Sequence, residues 1–306
     1  MPFSLPNGVY PTMITPYKDN LQVDFDAYAP LLDWYETHGV AGVFAICQSS
    51  EIFQLSFAER LAILRKVMRV RKPSTIVVAS GHTSFDPETQ IEEAKAFIAE
   101  GLDAYVFISN RFAAQDESDD VFLRNVDKVC SALGDTPLGV YECPAPYKRL
   151  LSPQTLRRMT EIGNFCFLKD TSCDVAQMQA KIEAVRGTTF KLYNANAATV
   201  LPSLQVGAAG FSGVMANFHP QLYAKICDCY ESNPALAHRL QDFVGFASLC
   251  ECQAYPINAK YHLQLEGVPI TIASRTQEYR NFRGNSPAVI EQMRRSAQAF
   301  EKFLNI

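Results

Sequence analysis

Phe165-Cys166-Phe167-Leu168-Lys169-Asp170-Thr171-Ser172 is an apolar run that ends on one lysine and passes at once into small polar residues. A run of that length bounded by turn-forming residues reads as a short buried strand, whose end delivers an amine into a polar mouth. Lysine seldom goes fully inside without a partner or a task. The plain alternative is a strand-end lysine whose stem packs while its ammonium reaches water. The rest of the chain decides between the two.

The unit repeats. Strand-like runs occur at Gly8 to Ile14, Gly42 to Cys47, Thr75 to Ser80, Ala104 to Ile108, Leu138 to Cys143, Phe165 to Lys169, Phe190 to Asn194 and Ala208 to Gly213, with amphipathic helical patterns between them. Phe25, Tyr28, Leu31, Leu32 and Tyr35 fall at helical spacing, as do Leu61, Leu64, Val67 and Met68, then Ile91, Ala94, Phe97 and Ile98. Start and stop signals agree: Asp24 and Asp26 before the first helix, Ser56 before the second, Ser152-Pro153 before the fifth, and His38-Gly39 and Glu100-Gly101 at helix ends. Strand centres at Val9, Val43, Val77, Val106, Val140, Phe167, Leu192 and Phe211 lie roughly twenty to thirty-five residues apart, the length of one strand, one helix and two loops. Eight such units predict a parallel α/β fold closed as a (β/α)8 TIM barrel over residues 1–232. An open doubly wound sheet would want a Gly-x-Gly-x-x-Gly turn after its first strand, where this chain has Thr12-Met13-Ile14-Thr15-Pro16. Residues 233–306 carry no strand signal and read as three further helices, Pro234 to Ala247, Ala254 to Leu265 and Pro287 to Leu304, packed on the barrel.

Composition narrows the function. The 306 residues are 48% hydrophobic and 20% charged, with a formal charge of -4, and the basic residues are scattered. Nucleic acid and anionic membranes are therefore not expected partners, and a small molecule is. Met1-Pro-Phe-Ser-Leu-Pro6 has no basic region followed by an apolar core, so a cytoplasmic protein is expected. The nine cysteines are odd in number and mostly sit in apolar patterns, as reduced buried thiols do. Cys227-Asp-Cys229 and Cys250-Glu-Cys252 have the wrong spacing for a zinc site, and neither a metal nor a cofactor is expected.

In such a barrel the chemistry lies at the carboxyl ends of the strands. Those ends bring Thr12 and Thr15, Gln48-Ser49-Ser50-Glu51, Ser109-Asn110-Arg111, Tyr141, Lys169-Asp170-Thr171, Asn194-Ala195-Asn196 and Ser212 to one mouth. One amine, one phenol, hydroxyls and amides, with no histidine, suit a lysine that forms a Schiff base with a ketone while a tyrosine carries protons. An ordinary lysine is a free amine in only about one molecule in 2,500 at pH 7. The barrel must therefore desolvate it, and Phe167 and Leu168 are the expected apolar collar.

Lys169 ending strand six, Tyr141 three residues before Pro144, the hydroxyl-rich loop closed by Glu51, and the opening Gly8-Val-Tyr-Pro-Thr-Met-Ile-Thr-Pro-Tyr17 together resemble the dihydrodipicolinate synthase and N-acetylneuraminate lyase family of class I aldolases. The resemblance covers essentially the whole chain. It implies that Lys169 condenses with pyruvate or a related 2-oxo acid, that Tyr141 shuttles protons, that Gln48 and Ser49 hold the carboxylate, and that the protein is a homo-oligomer, a dimer or tetramer.

Departures from the family pattern bear on the substrate. The usual loop of Gly, Thr or Ser, Thr, Gly, Glu is here Cys47-Gln48-Ser49-Ser50-Glu51, and an amide at Gln48 cannot relay a proton as a hydroxyl can. The second tyrosine of the synthases is missing from Ile108-Ser109-Asn110-Arg111-Phe112, and Pro146 stands where they have an arginine. Thr171 resembles the hydroxyl that neuraminate lyase and the 2-keto-3-deoxy sugar acid aldolases set near the cleaved bond. Thr171 is thus expected to join Lys169 and Tyr141 in catalysis, with Gln48, Ser49, Asn194, Asn196, Ser212 and Arg111 binding a hydroxylated 2-oxo acid. A sugar-acid dehydratase, a dihydrodipicolinate synthase and a non-catalytic 2-oxo acid-binding barrel are the alternatives.

Overall fold

The computed structural model describes residues 3–306. Over these residues the strands are β1 (Gly8–Val9), β2 (Gly42–Phe44), β3 (Ile76–Ala79), β4 (Ala104–Ile108), β5 (Leu138–Tyr141), β6 (Phe165–Asp170), β7 (Lys191–Asn194) and β8 (Gly210–Phe211). All pair in parallel, in the order β1-β8-β7-β6-β5-β4-β3-β2. The last seam, β1 against β2, is closed by Ala41 N to Val9 O at 3.0 Å, Phe44 N to Pro11 O at 2.9 Å and Met13 N to Phe44 O at 3.0 Å. The barrel inferred from the eight-fold spacing is the fold observed.

The expected first strand, Gly8 to Ile14, is shorter in the structure because Pro11 has no N–H to continue a ladder. From Tyr10 onward the backbone alternates between neighbours, Tyr10 N reaching Phe211 O at 2.9 Å and Met13 N reaching Phe44 O. At β8 the two backbones come so close that a Cβ on Gly210 would lie 1.8 Å from Gly8 O, and only glycine fits.

Eight helices cover the barrel: α1 (Tyr28–Thr37), α2 (Phe57–Val70), α3 (Pro87–Ile98), α4 (Asp119–Leu133), α5 (Pro153–Ile162), α6 (Val175–Ala184), α7 (Val200–Gln205) and α8 (Pro220–Cys229). Ser56 caps α2 by accepting from Glu59 N at 3.2 Å while Glu59 accepts from Ser56 N at 2.9 Å, and Ser152 caps α5 through Thr155 N. The expected caps on α1 are not there. Asp24 accepts from Asp26 N in a turn ahead of the helix, whose N-cap position is Ala27.

Three helices follow, α9 (Pro234–Ala247), α10 (Ile257–Leu265) and α11 (Ser286–Leu304). The second begins later than expected, after Ala254 at φ 60 and Pro256. Leu240, Val244, Ala259 and Ile290 from these helices share one buried cluster with Val9, Phe211 and Tyr223 of the barrel, so the C-terminal segment is anchored by core packing. Among the described residues no helix is long and apolar enough to cross a membrane. Nor does any group of three or more His, Cys, Asp or Glu there have the arrangement of a metal site.

Candidate active site

Period-two alternation decides what each residue of β6 faces. Phe167 and Lys169 point into the barrel, and Leu168 and Asp170 point toward the helices. Phe167 lies in an aromatic layer with Tyr10 (5.8 Å between ring centroids), Phe44 (5.8 Å) and Tyr193 (4.8 Å). This layer plugs the barrel beneath Lys169. The expected collar is thus half right: Leu168 is on the other face of the strand and takes no part.

Lys169 is 3% exposed. Its Nζ lies 4.4 Å from the centroid of the Tyr141 ring and 5.9 Å from that of Phe44. Burial pulls its pKa below the ordinary lysine value, against a weaker upward pull from Cys47, Cys143 and Glu251.

Two other lysines are equally buried among the described residues, and both are paired. Lys181 on α6 sits between Glu142 at 2.6 Å and Asp170 at 2.5 Å. Lys260 on α10 meets Glu51 at 2.8 Å and Ala273 O at 2.6 Å. Lys169 has no carboxylate within ion-pairing distance. A buried amine without a counter-ion is easier to hold neutral, and a neutral amine is a nucleophile.

The amine opens into a cavity of about 610 Å³ at the carboxyl end of the strands. Of the nine residues expected in the site, Lys169, Tyr141, Thr171, Gln48, Ser49 and Asn196 line it. Tyr141 is the register partner of Lys169 across β5 and β6, and its hydroxyl donates a long hydrogen bond to Gln48 Oε1 at 3.4 Å. Burial raises the Tyr141 pKa well above that of a free phenol, so it is protonated at rest. Cys143 Sγ donates to the same Gln48 oxygen at 3.5 Å, and Ser49 Oγ donates to Thr12 Oγ1 at 3.0 Å. Thr171 Oγ1 donates to the Glu142 carbonyl at 2.7 Å, which commits its proton inward and leaves lone pairs for a ligand hydroxyl. Asn196 Oδ1 holds Ala198 N at 2.8 Å, so its amide N–H groups are what it can offer.

Three residues are not brought to the cavity. Asn194 is the register partner of Asp170 and, like it, faces the helices, donating to Thr199 O at 3.0 Å and Ser203 Oγ at 3.1 Å. Ser212 donates to Tyr10 O at 2.9 Å across the β1–β8 seam. Arg111 is stacked between Phe53 and Phe85, 4.9 Å and 4.4 Å from their centroids. Arg149 is tied to Asp119 at 2.9 Å and to the carbonyls of Ala114 and Glu117.

Glu142 is the support behind the site. Its carboxylate accepts from Leu151 N at 2.8 Å, Thr171 N at 3.0 Å and Lys181 Nζ, fixing the loops after β5 and β6 together. Glu51 does the same for the other wall. It accepts from Lys260, Ser274 Oγ at 3.0 Å, Arg275 N at 2.6 Å and Thr276 N at 2.9 Å, which engages both of its oxygens.

The cavity also holds three groups that the strand-end reading did not include: Lys148, Glu251 and Tyr255. Lys148 Nζ donates to Thr171 O at 2.9 Å and puts a cation at the mouth. The Glu251 carboxylate has no hydrogen-bond or ion-pair partner among the described residues, and burial raises its pKa while the Lys169 charge lowers it by less. Lys148 lies in the loop after β5 and Glu251 after α9, neither with a periodic pattern to place it, and Tyr255 precedes α10 in a stretch expected to be helical.

Known proteins agree with this architecture. The model of the dihydrodipicolinate synthetase family matches residues 5–276. The 4-hydroxy-tetrahydrodipicolinate synthase of Methanothrix thermoacetophila is 25% identical over 261 residues, covering 84% of this chain and 86% of that one. Among solved structures, the dihydrodipicolinate synthase of Acinetobacter baumannii in complex with pyruvate superposes with a TM-score of 0.86 at 21% identity, over 96% of this chain and 99% of that one. The sialic acid aldolase of Ruminococcus gnavus gives 0.86 at 19% identity, over 97% and 98%. These two structural likenesses establish the fold, and the family match over most of the chain goes further. The chain belongs to the dihydrodipicolinate synthetase family and is a class I, Schiff-base-forming aldolase or lyase.

Proposed function

We propose that Lys169 carries the Schiff base and that the substrate is a hydroxylated 2-oxo acid, of the 2-keto-3-deoxy sugar acid or N-acetylneuraminate type, cleaved to pyruvate and an aldehyde. The observation that carries this reading is the contrast among the buried lysines of the described residues: Lys181 and Lys260 are neutralised by carboxylates, and Lys169 has no carboxylate partner and lines the cavity.

The neutral amine adds to the C2 carbonyl, and loss of water leaves an imine whose proton and those of the departing water pass through Tyr141. The protonated imine then accepts the electron pair of the C3–C4 bond as the C4 hydroxyl loses its proton. The products are the aldehyde and an enamine, which is protonated at C3 and hydrolysed to pyruvate. Thr171, whose hydroxyl has lone pairs free, suits the hydroxyl at which this bond breaks.

The substrate argument rests on polar groups that are mostly neutral. Thr171, Asn196, Ser49 and Gln48 can pair with hydroxyls directly, and the unpaired Glu251 opposes a second carboxylate in the same cavity. A second reading, condensation of pyruvate with aspartate semialdehyde, is favoured by Lys148, a cation at the mouth that stands in for the arginine replaced by Pro146. Together Lys148 and Glu251 would match a zwitterion. Dehydration of a sugar acid would use the same imine and expel a hydroxyl instead.

Steady-state assays distinguish these. Pyruvate release from 2-keto-3-deoxy sugar acids or N-acetylneuraminate, faster than any condensation with aspartate semialdehyde, is the expected result. The reverse order assigns the chain to the second reading, and a 2-oxo product without pyruvate assigns it to dehydration.

A further inference from the structure

The loop after β2 brings Gln48 and Ser49 to the cavity. Gln48 Oε1 is engaged by Tyr141 and Cys143, which leaves its Nε2 as the group it can offer. With the Ser49 proton committed to Thr12, a carboxylate held by that amide alone would be poorly paired in a buried site. The structure supplies another hydroxyl from a different element.

Tyr255 lies between α9 and α10 and lines the same cavity as Ser49 and Lys169. Its hydrogen-bond polarity is fixed by Asn217. Asn217 Oδ1 accepts from Tyr35 at 2.5 Å, so its other atom is the amide nitrogen, whose two hydrogens are shared among Thr12 O at 3.0 Å, Val214 O at 2.9 Å and the Tyr255 oxygen at 3.1 Å. An amide nitrogen cannot accept, so the Tyr255 hydroxyl does not spend its proton on Asn217. The hydroxyls of Ser49 and Thr12 stand beside it. Because Ser49 Oγ already donates to Thr12 Oγ1, an anion arriving here would find in the phenol a donor whose proton is not committed to Asn217.

We infer that Tyr255 binds the carboxylate of the 2-oxo acid; this rests on the Schiff-base reading above. The half-buried phenol donates to the carboxylate beside Ser49 while Lys169 engages the adjacent carbonyl carbon, and Asn217 and Tyr35 position it from behind. Burial raises the Tyr255 pKa, which keeps the donor protonated through the neutral range.

The test compares pyruvate with methyl pyruvate, which has the same ketone and no charged carboxylate, as borohydride-trapped adducts on native protein and on Tyr255→Phe. A hydrogen bond to a charged group predicts that the phenylalanine variant needs roughly tenfold or more pyruvate for half-maximal trapping, with methyl pyruvate changed far less. Equal losses for both ligands, or no loss for pyruvate, overturn the inference while leaving the Schiff base intact. No adduct on the native protein overturns the Schiff-base reading and this inference with it. Should the variant not fold, the crystal structure of the reduced pyruvyl adduct of native protein decides: the carboxylate lies within about 3 Å of the Tyr255 oxygen, or the inference is wrong.

Discussion

Lys169 and Tyr141 are register partners on adjacent parallel strands, and the amine lies 4.4 Å above the phenol ring. Parallel register makes their side chains share one face, so the nucleophile and its proton carrier are positioned by the sheet itself rather than by loops. The same ring that stabilises an ammonium by its quadrupole also desolvates it, and burial is the larger effect on the Lys169 pKa.

Tyr141→Phe keeps the ring over Lys169 and removes only the hydroxyl. Turnover is expected to fall by roughly 10²–10⁴, the range for one acid–base group, with the unfolding midpoint nearly unchanged. Steady-state kinetics beside thermal unfolding checks this. Unchanged turnover would make the phenol a packing residue.

Lys169→Met tests the cost of the buried amine. The folded pKa lies below the ordinary value of 10.5, so between the two the unfolded chain holds the extra proton and stability of the native protein rises with pH. Below that window the full penalty for burying an ammonium is present. The methionine variant should therefore be more stable than the native protein near pH 7, by roughly 1–2 kcal/mol, and the difference should shrink near about pH 9.5. Urea unfolding at both pH values measures it, and a variant less stable near neutrality contradicts the account.

Lys181→Ala should do the opposite. It leaves Glu142 and Asp170 buried with no counter-ion, at a cost of roughly 3–5 kcal/mol, and loosens the loop that carries Thr171. Denaturant melts check the loss. A variant within about 1 kcal/mol of native protein would mean that these carboxylates are not held charged in the fold.

The barrel was legible because its signal is periodic: eight apolar runs at similar spacing leave few topologies, and the strand ends then follow. Lys169 and Tyr141 were placed at one mouth for that reason, and the structure sets them side by side in the cavity. Asn194 was misplaced by parity. Its neighbour Tyr193 is the partner of Lys169, so Asn194 itself faces the helices beside Asp170, a consequence of strand alternation that strand-end position alone ignores. Ser212 is spent on the β1–β8 seam, and Arg111 on two aromatic rings. Lys148 and Glu251 reach the cavity from aperiodic segments, where only tertiary packing decides which side chains turn inward, and Tyr255 from the turn at Ala254 and Pro256 where a helix was expected. Tyr255 lies in the C-terminal segment read as an appendage, although that segment forms one wall of the site.

The most direct test of the central claim is borohydride reduction in the presence of pyruvate, followed by intact mass and peptide mapping. The account predicts one adduct per chain, with the mass of pyruvic acid less water plus two hydrogens, on the peptide containing Lys169 and absent from Lys169→Ala. An adduct that persists in that variant, or that maps to Lys148, would contradict it.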